Sequence, residues 1–172
     1  PPQPYNSVQI DQNPGQNSTV TLTVNSRIMN LFVDPGDVLQ ITGGSTLELA
    51  GVPPLLTADQ LNIGGILDMT GAGANTLRIN VANTFRYGGG EIRMRGAAQI
   101  AGPGVYFQGT GSYTGGSGRI GAAGTGINNQ GTIHASFPGE TLLVYGATRA
   151  DMAMRIFNSG TFSAGGGGLL EV

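Results

Sequence analysis

Ile127-Asn128-Asn129-Gln130-Gly131-Thr132-Ile133-His134-Ala135 returns as Ile156-Phe157-Asn158-Ser159-Gly160-Thr161-Phe162-Ser163-Ala164, an offset of 29 residues from Gly131 to Gly160. Asn, Gly, Thr and Ala coincide, and Phe162 replaces Ile133. A looser copy stands at Asn62-Ile63-Gly64-Gly65-Ile66. A second pair, Tyr87-Gly88-Gly89-Gly90 and Tyr113-Thr114-Gly115-Gly116, is offset by 26. A strand-turn unit that recurs at this spacing cannot bury its own apolar face, but it can when stacked on neighbours. The sequence therefore predicts an all-β, single-domain β-solenoid of roughly six or seven coils, at ~25 residues per coil. Asn129 and Asn158 are expected to stack as an amide ladder at one corner. The competing architecture is a sandwich or jelly roll, which also places turns every ~8–12 residues.

Outward from that repeat, short β-like runs follow one another. They cover residues 7–10, 19–24, 28–33, 38–42, 46–49, 61–63, 66–69, 77–81, 91–95, 105–108, 131–135, 142–145 and 160–164. Alternation in Thr19-Val20-Thr21-Leu22-Thr23-Val24 puts Val20, Leu22 and Val24 on one face and the threonines on the other. Asn13-Pro14-Gly15, Asp34-Pro35-Gly36, Gly64-Gly65 and Gly88-Gly89-Gly90 are turn signals. The expected interior holds Val20, Leu22, Val24, Leu47, Leu49, Ile66, Ile133 and Phe162. Residues 55–60 and 148–154 are the only helix-like stretches, and both are short.

Composition supports a β-type structural domain. The chain has 31 Gly among 172 residues, 10% charged residues and 39% hydrophobic residues. It has no Cys and no Trp, and all eight basic side chains are Arg. These absences exclude disulfides, thiolate metal sites, Cys nucleophiles, Lys Schiff bases and a Walker loop. A net charge of −2 gives no electrostatic footprint for nucleic acid, and no apolar run reaches the ~18 residues of a membrane span. Collagen is excluded because no Gly-X-Y period exists.

The runs Val8-Gln9-Ile10, Thr19-Val20-Thr21-Leu22, Leu39-Gln40-Ile41-Thr42-Gly43-Gly44-Ser45-Thr46-Leu47-Glu48-Leu49 and the Asn-x-Gly-Thr-Ile units resemble bacterial surface β-solenoid repeats. Such repeats occur in Gly-rich segments of autotransporter passengers, in filamentous-haemagglutinin-like adhesins and in large exported proteins of planctomycetes. The resemblance implies a right-handed parallel β-helix that is secreted, sits outside the cell or on its surface, and serves as a stalk, fibre or adhesive surface. It carries no shared catalytic residues.

Residues that could carry chemistry have simpler readings. His134, the one imidazole, lies opposite Ile133 and is expected to face solvent without a partner carboxylate. Asp34 and Asp37 read as a turn. Asp68 and Glu91 could be brought together by stacking, with Arg93 or Arg95, as in β-helical lyases, but alternation reads the arginines and Glu91 as a solvated ladder. Thr19, Thr21 and Thr23 make one threonine row, too little for an ice-binding array. Asn17-Ser18-Thr19 is a formal glycosylation sequon. No catalytic, cofactor or metal residue is assigned, and the protein is not expected to be an enzyme.

The ends suggest assembly. Residues 1–6 form a Pro-rich arm, residues 7–164 the solenoid, and residues 165–172 a Gly-rich tether with an apolar strand. A solenoid leaves open strand edges that must be capped, covered or used. Pro4, Tyr5, Leu169, Leu170 and Val172 are therefore expected to form a head-to-tail interface of a homopolymer. The alternative is an adhesin that binds glycan through a solvent-facing stripe of Tyr87, Tyr106, Tyr113 and Tyr145.

Overall fold

The computed structural model describes residues 6–10, 15–50, 59–81, 83–122, 124–146 and 156–172. Its strands fall into seven coils of three. The first coil holds β1 (Ser7–Ile10), β2 (Thr19–Leu22) and β3 (Ser26–Ile28), and the second β4 (Asn30–Val33), β5 (Val38–Ile41) and β6 (Thr46–Ala50). The third has β7 (Asp59–Ile63), β8 (Ile66–Met69) and β9 (Thr76–Asn80), and the fourth β10 (Asn83–Tyr87), β11 (Glu91–Met94) and β12 (Gln99–Ala101). The fifth has β13 (Val105–Gln108), β14 (Tyr113–Gly116) and β15 (Gly118–Ile120), and the sixth β16 (Gly126–Asn129), β17 (Thr132–Ala135) and β18 (Thr141–Val144). The last has β19 (Ile156–Asn158), β20 (Thr161–Ala164) and β21 (Leu169–Glu171).

Each strand pairs in parallel with the strand three places along the chain, giving three seven-stranded sheets. The protein is a parallel β-solenoid, and six steps of ~4.8 Å make the stack about 29 Å tall. The proposed repeat is the coil itself: Asn129 pairs with Asn158 and Ile133 with Phe162. The 26-residue pair is different. Tyr87 ends a first-sheet strand beside Asn62, whereas Tyr113 opens a second-sheet strand beside Glu91.

Alternation sends every second side chain inward, and stacking turns these into columns. One runs Leu39, Leu67, Ile92, Thr114, Ile133, Phe162, and another Leu47, Leu77, Ile100, Ile120. Leu47, Leu49 and Ile133 are buried as expected, while Leu22 and Phe162 are half-buried against the core. Three expected core residues are not buried. Val24 falls in the corner between β2 and β3 and is 62% exposed. Val20 points into the stack, but it belongs to the first coil and has cover on one side only. Ile66 faces outward because the looser copy is displaced by one residue: it stands in register with Glu91, Tyr113 and Thr132, not with Ile133. A one-residue slip exchanges faces, so Leu67 and Met69 fill the core instead. Of the two helix-like stretches, Asp59 and Gln60 open β7; residues 55–58 and 148–154 lie outside the described residues.

Glycine sets how closely coils approach at the corners. Gly116 has φ 123°, and a Cβ there would strike the Met94 carbonyl of the coil before it. Gly121, φ 96°, abuts the Tyr145 carbonyl of the next coil in the same way. No L side chain fits either position.

The inside–outside assignment predicts opposite outcomes for two isoleucines. Ile133→Asp buries an unpaired charge at a cost of several kcal/mol and should abolish the native fold. Ile66→Asn should leave it intact. Circular dichroism with size-exclusion chromatography checks both.

Candidate functional site

Most of the polar groups expected to carry chemistry are engaged with one another. His134 lies on the outer face of the second sheet, where Nδ1 is 2.8 Å from Ser163 Oγ and the ring is 6.1 Å from that of Tyr113. Asp68 stands in register with Arg93, and Arg93 Nε donates to Glu91 at 2.8 Å. Stacking thus does bring Asp68, Arg93 and Glu91 onto one sheet. Asp68, however, accepts from its own Thr70, from both the amide and the hydroxyl. Arg95 leaves the group, donating to Glu140 at 3.1 Å and lying over the Phe137 ring. Asp37 is buried and accepts from Ser18 N at 2.7 Å, while the Asp37 amide closes the turn on the Asp34 carbonyl. Among the described residues no three His, Asp or Glu side chains gather as a metal cluster would require.

Beside Glu91 and Tyr113 an open groove of about 510 Å³ follows the glycine corners Gly64-Gly65 and Gly89-Gly90. Burial, and then the Glu91 carboxylate, raise the Tyr113 phenol above its ordinary value. The ring lies over Gly115, where a Cβ would collide with it.

The four tyrosines do not form a stripe. Tyr106 is fully buried, Tyr87 is half-exposed on the first sheet, Tyr113 lies on the second, and Tyr145 follows the third beneath the Arg119 guanidinium.

A polar centre that alternation could not announce occupies the core of the fourth and fifth coils. One inward column runs Val8, Leu31, Leu61, Arg86, Gln108, Asn129, Asn158, aliphatic for three coils and polar for four. Arg86 is fully buried, with no carboxylate partner among the described residues. It donates to the Gly90 carbonyl at 2.7 Å, the Tyr113 carbonyl at 2.9 Å and Thr114 Oγ1 at 3.2 Å. Burial lowers its pKa, with Tyr106 and Glu91 opposing the shift. Thr114 donates to Gln108 Oε1 at 2.6 Å, with the Tyr106 hydroxyl 3.1 Å from the same atom, and Gln108 Nε2 donates to the Thr132 carbonyl at 2.8 Å. Arg86 Nε and Thr84 Oγ1 have no partner among the described residues. The expected amide ladder forms the end of this column, Asn129 Nδ2 donating to Asn158 Oδ1 at 2.7 Å.

The two ends of the stack carry strand edges without a pair among the described residues. At one end β1, β2 and β3 have no further strand beyond them among the described residues, and Val8, Ile10, Val20, Leu22 and Ile28 line an apolar hollow of about 160 Å³. At the other, β19, β20 and β21 are the outermost strands. There Phe157, Leu169 and Val172 are 55–66% exposed, and Ile156, Phe162 and Leu170 have one apolar side covered. Leu169–Glu171 pairs with β18, so residues 165–168 are the turn joining β20 to β21. Pro4 and Tyr5 lie outside the described residues. Comparison of the chain with protein-family models, with curated proteins and with solved structures finds no match.

Two predictions follow from the polar groups. Arg86→Ala strands two part-buried carbonyls and opens a cavity, so it should cost roughly 3–5 kcal/mol. Arg86→Met keeps the volume and removes the desolvated charge, and should cost less; urea titration ranks them. Glu140 is held below the ordinary carboxylate value of 4.5 by hydrogen bonds, first from Ser117 and then from Arg95. A carboxyl with a lowered folded-state pKa contributes stability above its unfolded pKa and loses it as pH falls through the folded one. The thermal midpoint of the native protein should therefore exceed that of Glu140→Gln near neutral pH, and the difference should vanish with acidification below about 4.5.

Proposed function

We propose that this β-solenoid is a structural extracellular protein, a subunit or segment of a surface fibre or matrix that grows by end-to-end stacking of copies. The observation that carries the reading is the match between the two ends. Each of the three sheets offers one outermost strand at either end, so a second copy can place its β1, β2 and β3 beside β19, β20 and β21. The parallel ladder would continue without change of direction. The apolar hollow at the first end then receives Phe162, which ends the column that Val20 begins, while Ile156 and Leu170 add apolar surface from neighbouring columns and Asn158 comes over Val8. Burial at ~25 cal/mol per Å² supplies the energy, and backbone pairing supplies the register. A head-to-tail contact is heterologous and makes open filaments when its rotation does not close. With 10% charged residues, like copies repel weakly.

Point substitutions test this better than truncation, because the last residues complete the third sheet. Val20→Arg should block one end and Leu170→Arg the other, each reducing polymer in sedimentation velocity while the circular dichroism stays native. Mixing the two variants should yield dimers, since each retains one good end. A wild-type protein that stays strictly monomeric across concentration and salt, by sedimentation and electron microscopy, overturns the proposal.

A further inference from the structure

The three outer faces differ in chemistry. The third sheet carries Arg27, Glu48 and Arg78 in a ladder, with ion-pair distances of 3.3 and 4.0 Å. The second carries Asp68, Glu91, Arg93 and His134. The strands of the first sheet carry no charged side chain pointing outward among the described residues; the Asp34 carboxylate, just past β4, reaches the margin of this face and accepts from Gln9 at 3.2 Å. The first sheet displays aromatic rings and primary amides instead. Two registers make up this face: Phe32, Asn62 and Tyr87 in one, and Phe85, Phe107, Asn128 and Phe157 in the other. Phe85 packs 4.9 Å from Phe107 and stacks 6.1 Å from Tyr87, at 14° between planes. Tyr87 and Phe157 are at least half-exposed. The Asn62 and Asn128 amides have no hydrogen-bond partner among the described residues.

We infer that this face binds a neutral polysaccharide laid along the solenoid axis. From β4 to β19 every coil presents a ring or an unpaired amide, over five steps of ~4.8 Å, about 24 Å in all. That step is comparable to the length of one pyranose unit. The C–H face of a sugar stacks on an aromatic ring, and its hydroxyls donate to and accept from an amide, so a face that interleaves rings with the Asn62 and Asn128 amides can engage both the faces and the edges of a glycan. An exposed apolar face rimmed by polar groups marks an interaction site. With Asp34 at its margin as the one charge near it among the described residues, and no cation, the face favours an uncharged polymer over an acidic one. A dry protein seam fits less well, because it would strand the Asn62 and Asn128 amides. The inference is independent of end-to-end stacking, since these side chains point away from both ends.

The purified full chain is tested by pull-down on microcrystalline cellulose, chitin and amylose resin, with alginate as an acidic comparison and a tube without polysaccharide to subtract self-pelleting. Retention on at least one neutral polymer is expected, little changed by added salt because no ion pair is involved. Phe85→Ala and Tyr87→Ala should each weaken it roughly tenfold. Phe85→Tyr, which keeps the ring, should restore it, and Arg78→Ala on the third sheet should leave it unchanged. No retention on any neutral polymer overturns the inference, as does equal retention by Phe85→Ala, or salt-sensitive retention on alginate alone. If Phe85→Ala instead abolishes side-by-side association of particles in electron micrographs with polysaccharide retention unaltered, the face belongs to a second copy and the inference falls.

Discussion

Everything in this structure depends on the backbone hydrogen bonds that tie each coil to the next. They hold parallel strands one ladder spacing apart, and so place each residue directly over its equivalent in the neighbouring coil. The chain thereby inherits a severe condition at its corners, where a Cβ has no room against the next carbonyl. Gly116 and Gly121 satisfy it. The high glycine content is the trace of that condition in the composition. Low charge content has a related origin: like charges stacked one above another repel, and the third sheet tolerates its charges by alternating them as Arg27, Glu48, Arg78.

The same stacking explains what could be read from the amino-acid order. The 29-residue repeat corresponds to two consecutive coils in exact register, because identical corners demand similar residues at similar spacing. Asn129 and Asn158 were legible for this reason. Ile66 was misread because Gly64-Gly65 mimics the Asn-x-Gly signal one residue out of step, and period-two alternation converts a slip of one into a change of face. Tyr87 and Tyr113 share a motif but not a position. The motif records a Gly-rich corner in one case and a strand in the other.

The polar centre was hidden for a different reason. Arg86, Gln108 and Thr114 each look like solvent-facing residues in their own strands, and only the columns show that they meet. Long-range contacts that satisfy a buried polar group leave no local signature. The aromatic face of the first sheet was obscured likewise, since its five rings are contributed by four different coils, and no short window of sequence contains more than two of them.

Strand-to-strand contacts in this fold run almost entirely between adjacent coils, which makes the seven coils unequal. Losing an outer coil breaks one interface, and losing an inner coil breaks two. The rod therefore erodes from its tips, and in the column that holds Arg86 fraying passes Val8, Leu31 and Leu61 from one end and Asn158, Asn129 and Gln108 from the other before it reaches the guanidinium. That guanidinium cannot leave the core without surrendering two backbone carbonyls and a threonine together. A buried network of this kind acts as a ratchet stop: it costs little while both neighbours are in place, and it divides gradual loss of the ends from collapse of the middle.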